Sequence, residues 1–159
     1  MSKSRFLQLL CLSFCLFTGN AMATKNFDNL IKEVTEKLPL IKNDSYPYGL
    51  PGANEGDIDF IKDLCGIECP KEAKTILLTL YKYDKFSGAF DVACPWDLRN
   101  FINEAFNTYG VPKKCIPFAE INGDYFVFRK NKIYLFNKAD KEFEAESWGY
   151  AEWLSQWVL

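Results

Sequence analysis

The residues best suited to chemistry in this 159-residue chain are carboxylates and thiols, because the sequence contains no histidine. It therefore has no Ser-His-Asp or Cys-His nucleophile pair, no histidine zinc ligand and no side chain with an unperturbed pKa near neutrality. The most regular acidic group is Glu142, Glu144 and Glu146. Alternate residues of a strand point to one side, so this spacing predicts a row of carboxylates that could meet a basic protein surface or a cation. It equally fits an edge strand whose charge prevents pairing with other chains.

Cysteine is the other reactive residue type. Six cysteines are present, two in an N-terminal segment that we expect to be removed and four in the remainder: Cys65, Cys69, Cys94 and Cys115. An even number suits an oxidising compartment, where each of two disulfides would stabilise a small domain by about 2 to 4 kcal/mol. Three pairings are possible, and proximity in the chain favours Cys65–Cys69 with Cys94–Cys115. A thioredoxin-like site has two residues between its cysteines rather than three, which argues against redox catalysis.

The first 23 residues predict a cleavable export signal. Lys3 and Arg5 form a basic start, an uncharged run extends from Phe6 to Phe17, and Ala21-Met22-Ala23 has the small-x-small pattern of a cleavage site. The apolar run is shorter than the roughly 20 residues that a membrane span needs. We therefore expect an exported protein, periplasmic or secreted, with no membrane span after cleavage.

The charge of the mature chain argues against nucleic-acid binding. Removal of Lys3 and Arg5 leaves 17 basic residues against 21 acidic ones, a net charge near −4. A nucleic-acid-binding protein needs a dense basic face that neutralises phosphates. The basic clusters here are Lys113-Lys114 and Arg129-Lys130-Lys132, and we interpret them as solvated turn residues in preference to a phosphate site.

Hydrophobic periodicity predicts five helices along the chain. The first spans 26–37, the second is capped by Asn54 and ends before Gly66, and the third starts at Pro70 and ends near Tyr83. The fourth starts at Pro95, and Ser147 caps the last. The residues between these helices predict a turn-rich linker over 40–56, a turn over 84–88 and a short strand over 89–93.

The run from Ile116 to Asn137 predicts a β-meander. Asn122-Gly123 is a preferred two-residue hairpin turn, and Asn131 marks a second turn. The segments between the turns are apolar or aromatic on both faces, so we expect both sides of the sheet to be covered. The segment from Glu142 to Glu146 then predicts an edge strand.

The C-terminal aromatic residues divide into a stripe and an outlier. Tyr150, Trp153 and Trp157 repeat at helical spacing, which favours packing against the meander. Trp148 lies off this stripe, and we expect it to be exposed. An exposed aromatic side chain with a polar rim resembles a binding hot spot, so Trp148 becomes a candidate contact, with Tyr125 and Tyr134 contributing from the sheet.

From about Asn54 onward, the order of these features resembles the SMI1/KNR4 superfamily, also called SUKH domains. The resemblance rests on a capped helix, a proline-started helix, three strand segments and a closing serine-aromatic helix. Their residues are Gly66, Cys69-Pro70, Ile116-Pro117-Phe118-Ala119, Gly123-Asp124-Tyr125-Phe126, Lys132-Ile133-Tyr134, Ser147-Trp148 and Glu152-Trp153-Leu154. It implies an α+β fold, namely a single domain with a mostly antiparallel sheet and about five helices. It also implies no shared set of catalytic residues.

The resemblance further implies a non-enzymatic protein-binding domain, because many bacterial members are immunity proteins that neutralise a toxin by binding it. The first hypothesis is an exported immunity protein. The alternative is a secreted effector or envelope accessory protein, and a hydrolase or oxidoreductase is the least favoured. We assign no catalytic residue, metal or cofactor. The candidate partner-binding residues are Glu142, Glu144, Glu146, Trp148, Tyr125 and Tyr134.

The expected organisation follows from these segments. Residues 1–23 form the signal peptide, 24–53 an N-terminal helix with a turn-rich linker, and 54–159 the SMI1/KNR4-like domain.

Overall fold

The computed structural model describes five stretches of the chain: 26–37, 55–80, 85–87, 91–93 and 97–159. For the two shortest stretches it describes the backbone alone. The predicted signal peptide and the linker over 40–54 lie outside these residues. So do the helix ends predicted at Asn54, Tyr83 and Pro95, and any disulfide to Cys94.

Within these stretches, six strands form one sheet in which every neighbouring pair is antiparallel. Their spatial order equals their sequence order: β1 (Lys85–Ser87), β2 (Asp91–Ala93), β3 (Ile116–Ile121), β4 (Asp124–Arg129), β5 (Lys132–Asn137) and β6 (Glu142–Trp148). β3, β4 and β5 form the predicted meander, β6 is the predicted edge strand extended to Trp148, and the expected α+β fold is confirmed. The turn predicted over 84–88 is wrong at its centre, because residues 85–87 pair with β2 as a strand.

Two tight turns set the register of the meander. Asn122 and Gly123 have φ angles of 51° and 91°, and Lys130 and Asn131 have φ angles of 49° and 58°. Two consecutive left-handed residues are what a type I′ hairpin turn requires. Both predicted turns are therefore confirmed, and they fix which side chains of neighbouring strands share a face.

Five helices accompany the sheet in the described residues: α1 (Phe27–Lys37), α2 (Glu55–Cys65), α3 (Lys71–Leu80), α4 (Leu98–Asn107) and α5 (Tyr150–Trp153). A π-helical turn, Leu154–Val158, continues α5, and we call the two together the terminal helix. α2 ends at Gly66, whose φ of 72° is left-handed. The Asp97 carboxylate caps α4 by accepting the Asn100 N–H at 3.0 Å.

The meander is covered on both sides, as its apolar faces predict. On the face that we call inner, Phe118 and Phe126 contact Trp153 of the terminal helix, with ring centroids 5.1 and 5.3 Å apart. On the opposite, outer face, Tyr125 packs edge-on against Phe101 of α4 at 4.9 Å. α1 packs against the terminal helix on its side of the sheet. None of the helices in the described stretches has the length and apolar character of a membrane span.

The start of the terminal helix differs from the prediction. Ser147 lies within β6 opposite Tyr134, so it is wrong as the helix cap. Gly149 is the capping residue, and the Glu152 carboxylate accepts the Gly149 backbone N–H at 3.2 Å. β6 therefore continues to Trp148, and the indole of Trp148 faces the inner side of the sheet.

Candidate partner-binding surface

Strand β6 forms one edge of the sheet and carries the three predicted carboxylates, which we call the acidic edge (Glu142, Glu144 and Glu146). Its pairing with β5 is irregular. Phe143 lies opposite Phe136 and Ser147 opposite Tyr134, so three residues of β6 face a single residue of β5 between these pairs. Glu142 and Glu146 are exposed, and Glu144 is half-buried. The carboxylates therefore lie along a bulged strand rather than in the straight row that the spacing predicts.

The bulge also changes what the edge can do. A bulge interrupts the ladder of backbone hydrogen bonds and twists the strand, which makes an edge a poorer template for a strand of another chain. Side chains, rather than backbone pairing, are thus the natural means of contact at β6.

Half-buried rings lie on the outer face beside the acidic edge. Tyr134 of β5 and Phe143 of β6 meet edge to face with centroids 5.9 Å apart. The Arg129 guanidinium lies over both rings, 4.6 Å from the Phe143 centroid and 5.6 Å from that of Tyr134. We call these three residues the outer patch. A cation over an aromatic face holds both groups in place at the surface, so the patch is an ordered aromatic–arginine cluster.

Two of the predicted contact residues are buried instead. Trp148 is 3% exposed and packs against Trp157 and Phe126, with centroids 5.5 and 6.0 Å apart. Tyr125 is 1% exposed beneath α4, and burial raises the pKa of its hydroxyl. The expected exposure of Trp148 is wrong, and neither side chain reaches a partner in this conformation. Contact through Tyr134 and the acidic edge stays a prediction.

A second surface feature joins the two basic clusters of the sequence. A cleft of about 460 Å³ opens between the segment after α2, the segment before β3 and the β4–β5 turn. We call it the basic cleft, and its lining residues are Ile67, Glu68, Pro70, Pro112, Lys113, Lys114, Phe128, Arg129, Lys130 and Asn131. Arg129 belongs to both the cleft and the outer patch, so the two features adjoin.

Comparison with known proteins settles the family. The model of the family described as "SMI1-KNR4 cell-wall" matches residues 27–159. The chain belongs to the SMI1-KNR4 family. A solved structure, described as the crystal structure of a protein from Pseudomonas syringae pv. tomato, has the same fold with a TM-score of 0.61 and 20% sequence identity. That match covers 82% of this chain and 97% of the other. No curated protein matches the sequence.

Among the described residues of this SUKH domain, Cys65 and Cys115 are buried and Cys69 is half-buried, and all three lie in or next to segments that line the basic cleft. Cys65, Cys69 and Cys115 are free thiols in the structure, so the expected Cys65–Cys69 bridge is not formed there. Burial raises the pKa of Cys65 to about 12 and that of Cys69 to about 11, and it also raises the pKa of Cys115. Such thiols remain protonated at neutral pH and are poor nucleophiles.

The features missed from the sequence were those assembled from distant segments. The described residues contain no cluster of three or more acidic or cysteine side chains arranged for a metal ion. Phe143 and Arg129 of the outer patch were not predicted as contacts, although Phe143 lies between the predicted Glu142 and Glu144. Its position on the same face as Tyr134 was the available signal, but only the β5–β6 register reveals it.

Proposed function

We propose that this SUKH domain is an exported, non-enzymatic protein-binding domain, and that its partner is a toxin which it neutralises by covering a functional surface. The outer patch is the observation that carries the proposal. Aromatic rings with an arginine, surrounded by polar side chains, have the composition of a binding hot spot. The protonated, buried thiols also favour binding over nucleophilic chemistry.

The charge beside the patch indicates the kind of partner. Glu142 and Glu146 are exposed on β6, the strand that also carries Phe143 of the outer patch, and the mature chain has an expected net charge of −4. Opposite charges on a partner would accelerate association and align the two proteins. We therefore expect the toxin to present a basic surface to β6.

Calorimetry with the mature chain and the product of the adjacent gene tests the proposal. Phe143→Ala should weaken binding at least tenfold, because hot-spot rings cost more than about 1.4 kcal/mol on truncation. Phe60→Ala is a matched control, since Phe60 is also half-buried with an arginine, Arg99, 4.5 Å above its ring. No binding at micromolar concentration, or an equal effect of both substitutions, would contradict a partner site at the outer patch.

An envelope accessory role is the second candidate, favoured by the family's description as a cell-wall family. Gene deletion separates the two roles. Loss of an immunity protein should sensitise cells to the toxin of a sibling strain, whereas loss of an envelope accessory protein should leave that sensitivity unchanged and alter resistance to wall-directed stress.

Fusion of residues 1–23 to a reporter that is active only after export tests the localisation.

Within the same proposal, oxidation after export should join Cys65 to Cys115 rather than to Cys69. The Lys114 backbone N–H donates to the Cys65 carbonyl at 3.0 Å, which brings the neighbouring cysteine close. Exchange with a small disulfide oxidant would form this bond: the two cysteine thiols lose two electrons, the S–S bond of the oxidant breaks, and its two sulfurs leave as thiols that carry the two protons.

Peptide mapping distinguishes the pairings. A Cys65–Cys115 bond links the tryptic peptides 63–71 and 115–129, whereas a Cys65–Cys69 bond lies within peptide 63–71. The linked pair should persist in the Cys69→Ser variant. Its absence from oxidised protein, together with an internal bridge in 63–71, would restore the pairing that chain proximity favours.

A further inference from the structure

We infer that the basic cleft is a second recognition site, which takes an acidic peptide segment carrying an apolar side chain. This inference rests on the proposed protein-binding role. It adds an acidic ligand, which the acidic edge is not suited to bind. The cleft has an apolar floor, formed by Ile67, Pro70, Pro112 and Phe128, and a rim that carries four cations. The ligand must account for both the apolar floor and the cationic rim.

The rim has an excess of cations that nothing in the described residues neutralises. The Lys113 ammonium lies 3.9 Å from the centroid of the Phe106 ring, and the Arg129 guanidinium lies over the Phe143 ring of the outer patch. The acid of the lining, Glu68, already pairs with Lys62 outside the cleft. The ammonium groups of Lys114 and Lys130 have neither an ion pair nor a ring contact within the described stretches, so they are available to a ligand.

The backbone at these two lysines is unusual for lysine. Lys114 has a φ of 66° and Lys130 a φ of 49°, in the left-handed region where glycine and asparagine are less strained. The β4–β5 hairpin turn imposes this conformation on Lys130, and asparagine can replace a left-handed lysine without added backbone strain. Two such lysines, from segments distant in the sequence, lie at the same cleft.

The floor decides between the possible anionic ligands. Inorganic phosphate would use the lysines and leave the apolar floor uncovered, and a nucleic acid would need a larger basic face than this acidic chain offers. In a peptide with carboxylates on both sides of an aromatic or aliphatic side chain, the apolar group would cover the floor of the cleft and the carboxylates would pair with the cations of the rim. A volume of about 460 Å³ is within the range of pockets that hold such small groups.

Titration with synthetic peptides tests the inference without the natural partner. The probe is the acetylated, amidated pentapeptide Glu-Asp-Phe-Asp-Glu, which should bind the mature chain with a Kd below about 1 mM. Gln-Asn-Phe-Asn-Gln lacks the charges and Glu-Asp-Gly-Asp-Glu lacks the ring, and each should bind at least about fivefold more weakly. Equal binding of the uncharged peptide, or binding of inorganic phosphate but not of the probe, would overturn the inference.

The Lys114→Asn, Lys130→Asn double variant assigns the binding to the cleft. It should weaken probe binding about tenfold, since two exposed charge contacts are lost. Its thermal midpoint should stay equal or rise, because asparagine suits left-handed backbone. The matched control is Lys132→Asn with Lys141→Asn, which loses the same charge outside the cleft and includes a left-handed lysine with a φ of 56°. Equal weakening by both double variants would overturn the assignment.

The two proposals fail separately. Phe143→Ala should reduce partner binding and leave probe binding unchanged. If the probe binds but no partner is found, the cleft is supported as a binding site and the outer patch is contradicted. If a partner binds but the probe does not, the outer patch is supported and the cleft is contradicted.

Discussion

Aromatic residues lie on both faces of the sheet, but on the outer face those nearest the β6 edge are less buried. On the inner face, the Phe126 ring lies within 6.0 Å of the indoles of Trp148, Trp153 and Trp157, and all four residues are buried. On the outer face, Phe143 has rings and a guanidinium for neighbours and remains half-buried. Aromatic contacts alone therefore do not mark a core.

The covering helices make the difference. The terminal helix lies across the inner face, whereas α4 covers the outer face around Tyr125 and β3. On the outer face of β5 and β6, Tyr134 and Phe143 are half-buried, whereas Phe136 beside them is fully buried. A partner protein could supply to the outer patch the cover that the terminal helix supplies to the inner face.

The largest predicted difference between the faces is in stability. Trp153→Ala should lower the free energy of unfolding by about 3 to 5 kcal/mol, because it leaves a cavity among fully packed rings. Phe143→Ala should cost about 1 kcal/mol, since its ring is already partly in water. Urea unfolding of both variants measures the contrast. Equal losses would mean that the outer patch is a second core rather than a binding surface.

The next effect, alkaline destabilisation, should arise from buried groups that the fold keeps protonated. Burial raises the pKa of Tyr150 to about 12, and that of Cys65 also to about 12. The folded state therefore keeps these protons at a pH where the unfolded chain releases them, and stability should fall as the pH rises from about 9 towards 12. Urea midpoints measured between pH 7 and 11 should decline above pH 9.

Tyr150→Phe isolates one of these groups. The Tyr150 hydroxyl is buried without a hydrogen-bond partner, so its removal should leave stability at pH 7 unchanged or slightly higher. The decline above pH 9 should become shallower in this variant. An unchanged slope would assign the alkaline effect to the thiols and Tyr125.

The sequence predicted those features that depend on neighbouring residues. The turns at Asn122-Gly123 and Asn131 follow from local backbone preference, and both are present. The exposure of Trp148 was predicted wrongly because the last helix was expected to start at Ser147, which in fact lies within β6. Strand alternation turns Trp148 inward opposite Ile133, whereas helical spacing left it off the buried stripe.

The basic cleft was beyond local reasoning for a different physical reason. Lys113-Lys114 and Arg129-Lys130 each look like solvated turn residues, because no local pattern reports that two turns adjoin in space. Their meeting depends on the register of β3 with β4, which includes an irregularity between Pro117 and Ala119. Long-range pairing of this kind has no signature within a short window of sequence.

A smaller stability effect concerns the cover of the inner face. Glu152→Ala removes the carboxylate that accepts the Gly149 N–H, and loss of such a cap should cost about 0.5 to 1 kcal/mol. Glu146→Ala is the control, since Glu146 is an exposed glutamate of β6 with no cap to lose. Thermal unfolding should separate the two variants by a few degrees. Indistinguishable midpoints would show that packing alone fixes the start of the terminal helix.

The smallest stability effect is expected at the acidic edge, where replacing Glu142, Glu144 and Glu146 by glutamine should change the free energy of unfolding by less than about 0.5 kcal/mol. Sedimentation velocity then tests why the charges are there. If they prevent edge pairing, the triple variant should self-associate at high concentration. The bulge at residues 144–146 already impairs pairing, so we expect the variant to remain monomeric and instead to lose the salt dependence of partner association. Self-association would assign the carboxylates to edge protection and leave the outer patch to recognise the partner without them.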